Sequence, residues 1–421
     1  ADEARGSEGY DIATTRNALV MDRRTLLKTG GMAALGFGIT GCATRVLRPT
    51  RPAFTLAPIR ASWDRIIRTT VGLRPHRPSG FVLRVEKFDS KTVIHNYGHG
   101  GAGLSLCWGT GSLAADFAVE AAQTNRRAAA VLGSGAVGLA TARQLQRRGF
   151  DVTIYAKAIP PDTTTNMAWG GFTPTSGLVA GRRYTPAWEA QFRSAVEIAY
   201  REFQLLVGPR YGVAWLDNYS TMEELPTAES EARREREGAR LMPASLQTGR
   251  EILYPGEHPF PTRYASRRSS LRIEPSLFLE AMLREIRLFG AQIVIREFKT
   301  PSDLMTLSES VIVNCTGLGS RDLFRDEALI PVKGQLTFLV PQPEVDYQYG
   351  CMPRSDGIAL GSTRQRGVWT LTPDEVARKR IVDRAVERYS WMRSPELGQQ
   401  VMRSAAPAEA PSVASFFDED S

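Results

Sequence analysis

The stretch "RRAAAVLGSGAVGLATARQLQRRGFDVTIYAK" (Arg126–Lys157) decides the fold. Ala128 to Leu132 is a short apolar run, the pattern of a strand buried on both faces of a parallel sheet. Gly133, Gly135 and Gly138 follow in GxGxxG spacing. Leu139 to Arg148 then has helical periodicity, Gly149 stops the helix, and "DVTIYA" reads as a second strand. Strand, glycine turn, helix, strand is the context a dinucleotide fold requires. Gly133 permits the tight turn, Gly135 lets the backbone approach a pyrophosphate, and Gly138 lets the helix pack close to the strand. The helix N-terminus, at Ala136 and Val137, turns its unpaired N–H groups towards the phosphates.

The second strand ends at Lys157, where such folds carry Asp or Glu for the ribose hydroxyls. A basic residue there points to a 2′-phosphate and so to NADP, or else another group holds the ribose of FAD. The loop alone leaves both open.

Working outward, the chain has 421 residues, 42% of them hydrophobic, which suits one large or two ordinary domains with a real core. Its net charge of +8 favours anionic substrates or an anionic membrane surface. The basic residues are scattered and not interleaved with aromatics, which argues against nucleic acid as a partner. The one charge run, "ESEARREREGAR" from Glu229, mixes signs and reads as a solvated helix face. Cys42, Cys107, Cys315 and Cys351 form no CxxC pair and no cluster with ligand spacing, so neither a metal site nor a disulfide framework is expected.

The segment Met21–Cys42, "MDRRTLLKTGGMAALGFGITGC", carries a twin-arginine pair, Arg23 and Arg24, before a short apolar stretch. That stretch is too short to span a bilayer and reads as a signal peptide. Its end, Ile39 to Cys42, resembles a lipoprotein box whose cysteine is lipidated. The expectation is export by the twin-arginine route to the periplasmic side, with a lipid anchor in the membrane. Residues 1–20 fit badly before this signal and are set aside as an extension; residues 43–66 read as a tether.

Further motifs, taken in order, point to a family. "TTVGLRPHRP" (Thr69–Pro78) and "VIHNYGHGGAGLSLCWG" (Val93–Gly109) lie at the front. "DTTTNMAWGGFTP" (Asp162–Pro174) follows the second strand, and "VIVNCTGLGSRDL" (Val311–Leu323) comes much later. Together they resemble the D-amino acid oxidase family, FAD enzymes that include D-aspartate oxidase, over most of residues 67–392. In that family GLRP and HNYGHGG follow NCTG near the C-terminus, whereas here they precede GxGxxG and do not recur. The expectation is a circular permutation. The family's last helix becomes "GSLAADFAVEAA" (Gly111–Ala122), joined to the first strand by "QTNRR"; such a rearrangement needs the old termini to lie close together.

The resemblance implies non-covalently held FAD and oxidative deamination of a D-amino acid. Hydride passes from the substrate α carbon to flavin N5, and the imino acid hydrolyses to a keto acid and ammonia. Arg74, in GLRP, corresponds to the arginine that grips the substrate carboxylate, where a guanidinium fork makes two parallel charge-assisted bonds. The carbonyl of Gly101 would receive the amine. Gly100, Gly101, Ala102, Gly103, Leu104 and Ser105 correspond to the loop passing the flavin ring. Thr163, Thr164 and Thr165 correspond to a pyrophosphate-binding run, Gly170 and Gly171 to residues beside the flavin, and Thr316 and Gly317 to a turn near the adenosine. His95 and His99 are expected to set the glycine loop by hydrogen bonds, not to act as bases. Tyr347 and Tyr349 are candidates for the tyrosine over the substrate, with Tyr349 preferred although its spacing to Pro353 is one residue off. Arg354 is a candidate for selecting acidic side chains, although the surface is its more ordinary place.

The expected architecture is α/β. A doubly wound, Rossmann-like FAD-binding domain (residues 94–180 and 270–323) interleaves with a substrate domain on a mostly antiparallel sheet (67–93, 181–269 and 324–395). Residues 396–421 form a tail. Trp188–Leu206 reads as an amphipathic helix. "RIEPSLFLEAMLREIRLFGAQIVI" from Arg272 reads as helix then strand, with Leu277, Leu279 and Met282 to Phe289 on its apolar face. The rival readings are oxidation of glycine or an N-alkyl glycine by the same fold, an NADP-dependent reductase, and a non-catalytic flavoprotein. The electron acceptor, oxygen or a membrane quinone, is open.

Overall fold

The computed structural model describes residues 54–122, 127–175 and 184–393. The twin-arginine segment, residues 1–20, the tail and most of the QTNRR joint lie outside the described residues.

The apolar run before the glycine turn is β4 (Ala128–Leu132), and "DVTIYA" is β5 (Asp151–Ala156). They lie in a six-stranded sheet with β2 (Val82–Phe88), β3 (Lys91–Tyr97), β9 (Gln292–Ile295) and β10 (Val311–Asn314), in the order β2-β3-β10-β4-β5-β9. All neighbours are parallel except β2, which runs antiparallel to β3 at one edge. Every residue of β3 and β10 is buried, as befits inner strands covered on both faces. The domain boundary expected at residue 94 therefore falls earlier. Residues 82–93 belong to the nucleotide-binding sheet, because β2 and β3 form a hairpin that pairs with β10 in register Thr92↔Val311.

Two helices flank the glycine turn. One is α2 (Ala136–Arg147) and the other is α1 (Gly103–Ala121), which begins well before the expected Gly111. Interior glycines weaken a helix in isolation, and they hid this one in the sequence. Packing supplies the reason for them: a Cβ at Gly109 would lie 1.8 Å from the carbonyl oxygen of Ala195 on α3 (Pro186–Leu205). Thr185 caps α3, accepting from the Trp188 N–H. The mixed-charge run is α4 (Ala228–Leu241), and "EPSLFLEAMLREIRL" gives α5 (Pro275–Leu288), which leads into β9. The buried face of α5 is Phe278, Leu279, Met282 and Ile286; Leu288 and Phe289, expected on it, are exposed where the helix runs past the core.

The second half is built on antiparallel pairing. β1 (Ile66–His76), which carries GLRP, pairs with β11 (Ile330–Leu339), and the sheet continues through β14 (Gly357–Gly361) to β13 (Cys351–Arg354), with β15 (Gln365–Arg366) beside β11. A smaller sheet has the order β12 (Tyr347–Gln348), β6 (Val213–Met222), β8 (Tyr264–Ile273), β7 (Glu251–Leu253). Its β6, β7 and β8 are antiparallel. Short α6 (Gly319–Leu323) follows β10, and α7 (Glu375–Arg388) is capped by Asp374, which accepts from the Ala377 N–H. The fold is thus the expected doubly wound nucleotide domain interleaved with a mostly antiparallel one. Among the described residues no helix is long and apolar enough to cross a membrane.

The larger core lies between the parallel sheet and its helices, around Trp108, Leu139, Phe192, Phe203 and Phe278. Each such side chain contributes about 1.5–3 kcal/mol by leaving water. A second core, rich in aromatics, gathers Tyr219, Phe260, Tyr347, Tyr349 and Tyr389 under the antiparallel sheets.

Candidate active site

One cavity of about 730 Å³ runs from the glycine turn to the antiparallel sheet. At one end Gly133 adopts φ +103° while its N–H donates to the Tyr155 carbonyl (2.7 Å). Here a side chain is doubly forbidden, since a Cβ would stand 2.6 Å from the Cys315 carbonyl oxygen. A Cβ on Gly138 would meet the Gly133 carbonyl oxygen at 2.0 Å, so α2 packs directly on the turn. Gly135 is the N-cap of α2 and offers no side-chain cap. The Ala136 N–H finds Thr165 Oγ1 at 3.2 Å. Ser134, Gly135, Ala136, Val137 and Thr163 to Thr165 all line the cavity. A helix N-terminus capped by a glycine and ringed by hydroxyls is a cradle for a pyrophosphate.

The wall opposite comes from β10 and the turn after it. Thr316 and Gly317 line the cavity. Thr316 Oγ1 is tied to Asn314 Oδ1 (2.8 Å) and Ser320 Oγ (2.8 Å). Asn314 Nδ2 in turn donates to His95 Nδ1 (3.2 Å), leaving His95 Nε2 to donate to Glu86 (3.2 Å). His95 is pulled below its ordinary pKa by burial, against the raising effect of Glu86. His99 is buried at the cavity wall, stacked on Phe81, and pushed down to about 3 by desolvation. Thr110 Oγ1 donates to the Leu106 carbonyl, so it accepts from His99 Nε2 at 3.1 Å. His99, at the start of the glycine loop, ties it to α1; His95, expected to do the same, bonds Asn314 and Glu86 instead and does not touch the loop. The Cys315 thiol, pushed up to about 12 by burial, is inert packing.

The glycine loop is a 3-10 turn, Gly100–Ala102, running into α1. Gly100, Gly101, Gly103 and Leu104 line the cavity. Ala102 and Ser105, expected to touch cofactor, do not: Ala102 is fully buried, and Ser105 Oγ is spent on Gly171 O (3.3 Å) and the Thr173 N–H (2.8 Å). Gly170 and Gly171 likewise stand behind the wall, bound to β8 through the Ile273 N–H (2.6 Å) and the Arg272 bridge. Their neighbours Ala168 and Trp169 line the cavity instead.

At the far end stands Arg74, on β1 opposite Val332. Its Nη1 donates to the Thr363 carbonyl (3.1 Å). Burial, and then the charge of Arg364, lower its pKa. Arg364 lines the same cavity, and among the described residues neither guanidinium forms an ion pair with a carboxylate. Arg364 was not foreseen; no motif surrounds it, and it enters the cavity only because the chain folds back from β14 towards β15.

Neither candidate tyrosine reaches the cavity. The chain turns at Gly350 (φ +68°), and the Tyr349 ring packs 4.7 Å from Phe260 in the second core. Tyr347 donates to the Ala57 carbonyl (2.7 Å). The off-by-one spacing to Pro353 marks this turn. Arg354 is not a selecting residue either: its side chain is 1% exposed and chelated by Asp356, with Nη1 on the Ala168 carbonyl at 2.9 Å. Arg77 is structural, paired with Asp326 at 2.9 Å.

A dinucleotide cradle that opens onto a half-buried guanidinium suits a cofactor-dependent enzyme. Residues 128–412 match the profile described as DAO, FAD dependent oxidoreductase, and the chain belongs to that family. FAD is its cofactor, and the NADP alternative raised by Lys157 falls. The chain is 28% identical to the D-amino acid oxidase of Dugesia ryukyuensis over 268 residues, covering 60% of this chain and 75% of the relative. It is 27% identical to the human (Homo sapiens) D-aspartate oxidase over 268 residues, covering 61% and 74%. Among solved structures, glycine oxidase from Geobacillus kaustophilus aligns at 18% identity and a TM-score of 0.46, covering 64% of this chain and 79% of that one.

Proposed function

We propose that the protein oxidises D-amino acids with FAD, and that its preferred substrates carry an acidic side chain. The observation that carries this reading is the pair Arg74 and Arg364, two guanidiniums lining one cavity, neither of them, among the described residues, in an ion pair with a carboxylate. Arg74 is half-buried and Arg364 lies at the exposed rim of the cavity; like charges at such a mouth repel, and an anion between them relieves this. A substrate with one carboxylate satisfies Arg74; a dicarboxylate satisfies both. Bound in the cradle at Gly133, Gly135 and Thr163 to Thr165, FAD would supply the electron chemistry, as the acceptor of hydride from the substrate. The protein's part is to fix the carboxylate, present the Gly101 carbonyl to the amine, and exclude water. No strong base is needed at the α carbon, which agrees with His95 and His99 being held neutral by burial.

The circular permutation belongs to the same proposal. The family match begins at Ala128 and leaves out the front segment. Yet that segment contributes β3 beside β10, α1 against the nucleotide core, and β1 with Arg74. Its integration supports a change of chain order with the site retained. Export and lipidation at Cys42 complete the reading, and they suit an enzyme that loads its cofactor before crossing the membrane.

The test is the visible spectrum of the purified protein before and after anaerobic addition of D-aspartate, D-alanine, glycine or sarcosine. Bleaching of a flavin band by D-aspartate first is the expected result. Bleaching only by glycine or sarcosine would overturn the D-amino acid assignment, and a band no substrate bleaches would mark a non-catalytic flavoprotein. Re-admitted air then separates oxygen from quinone as the acceptor.

A further inference from the structure

The cavity's adenosine end lacks the residue this fold uses there. β5 is followed by Lys157, an ammonium with three donors and no acceptor, where the ribose hydroxyls call for a carboxylate. The neighbouring strand supplies one. β9 pairs with β5 in register Ala156↔Ile295, and the Arg296 N–H continues the ladder by donating to the Ala156 carbonyl (3.0 Å). This lays Glu297 against the end of β5, where Glu297 and Lys157 both line the cavity and Lys157 Nζ stands 3.7 Å from Glu297 Oε1. The next residue, Phe298, is fixed edge-on against Tyr155 with ring centroids 5.8 Å apart. The segment carrying Glu297 is therefore anchored on both sides. Two other carboxylates line the cavity, Asp162 and Asp322, but it is Glu297 that Lys157 pairs with at the end of β5.

We infer that Glu297, delivered by β9 and standing beside Lys157, is the carboxylate that accepts hydrogen bonds from the adenosine ribose of FAD. The carboxylate has moved one strand along the sheet, and the ammonium occupies the place it left. The pair is mostly exposed, so its own attraction is weak. Glu297 therefore has lone pairs to give, at little cost, to two neighbouring hydroxyls.

This rests on FAD filling the cavity, and the experiment separates the two claims. The holoenzyme is stripped of flavin, and the apo-protein is titrated with FAD and with FMN, which lacks the adenosine, by following flavin fluorescence. Glu297→Gln is expected to raise the Kd for FAD roughly tenfold to a hundredfold, the range for hydrogen bonds to a charged group. Its Kd for FMN should stay within about twofold of wild type, a margin set by exposed substitutions remote from the ligand. Lys157→Ala should weaken FAD less than Glu297→Gln does. Restoring a carboxylate at the end of β5, in the double variant Lys157→Asp/Glu297→Gln, should recover most of the affinity. Unchanged FAD binding in Glu297→Gln would overturn the inference, as would an equal loss of FAD and FMN. A larger loss from Lys157→Ala would overturn it too, by making the ammonium the ligand. A wild-type apo-protein that binds neither flavin would overturn the cofactor assignment itself.

Discussion

The guanidinium of Arg74 lies directly over Gly334, a bare Cα on its partner strand: a Cβ there would come within 2.3 Å of Nη2 and 2.5 Å of Cζ. β11 is thus shaped to let the arginine lie flat on it, with Nη1 pinned to the Thr363 carbonyl. Gly334→Ala should displace the guanidinium without touching the cofactor cradle. The expected outcome is full flavin content with kcat/KM for a D-amino acid lowered about tenfold to a hundredfold, the worth of a misaligned charge-assisted pair. Flavin absorbance per mole of protein and steady-state kinetics check it together. A variant with normal kinetics would remove Arg74 as the carboxylate ligand.

Arg364 tests the side-chain preference separately. Arg364→Leu removes the second cation but leaves Arg74 in place. For D-aspartate kcat/KM should fall by about tenfold or more, since a charged partner is lost. For D-alanine it should hold or rise, because the repulsion that lowers the Arg74 pKa is gone. An equal fall for both substrates would mean that Arg364 supports the site generally and selects nothing.

Tyr349 makes the opposite prediction. Its ring sits in the second core and its carbonyl accepts from Tyr389 OH at 2.6 Å. Tyr349→Phe keeps both features, so kcat/KM should stay within about twofold of wild type, the ordinary reach of a remote conservative change. A hundredfold loss, of the order a substrate-contacting hydroxyl would give, would show that the loop carrying it swings into the cavity during turnover.

The sequence made the nucleotide half legible because its constraints are local. Gly133, Gly135 and Gly138 are fixed by backbone geometry within a single strand–turn–helix unit, and a motif records them. The start of α1 was illegible because Gly109 and Gly111 obey α2 and α3, which lie elsewhere in the chain. Arg364 and Glu297 were illegible for a related reason. Each reaches the cavity through a strand pairing, β11 with β14 and β5 with β9, and the residues around it carry no pattern of their own. Tyr349 misled because likeness of motif was carried across a spacing one residue off, and that residue falls in the turn at Gly350, which sends the ring into the second core.

His99 links the loop to acid stability. The folded protein holds it neutral down to about pH 3, whereas an exposed histidine takes up its proton near 6.5. Between those values the unfolded chain binds more protons than the folded one, so stability is whole above pH 6.5 and is lost as the pH falls below it. One such group gives a slope of about 1.4 kcal/mol per pH unit. His99→Gln removes this titration and can still donate an amide N–H towards Thr110. Its stability at pH 7.5 should be somewhat lower than wild type, through lost stacking on Phe81. Its decline between pH 6 and pH 4 should be shallower by about that slope. Urea unfolding at half-unit pH intervals measures both curves. Parallel curves would show that water reaches the imidazole and that the loop opens before the rest of the fold.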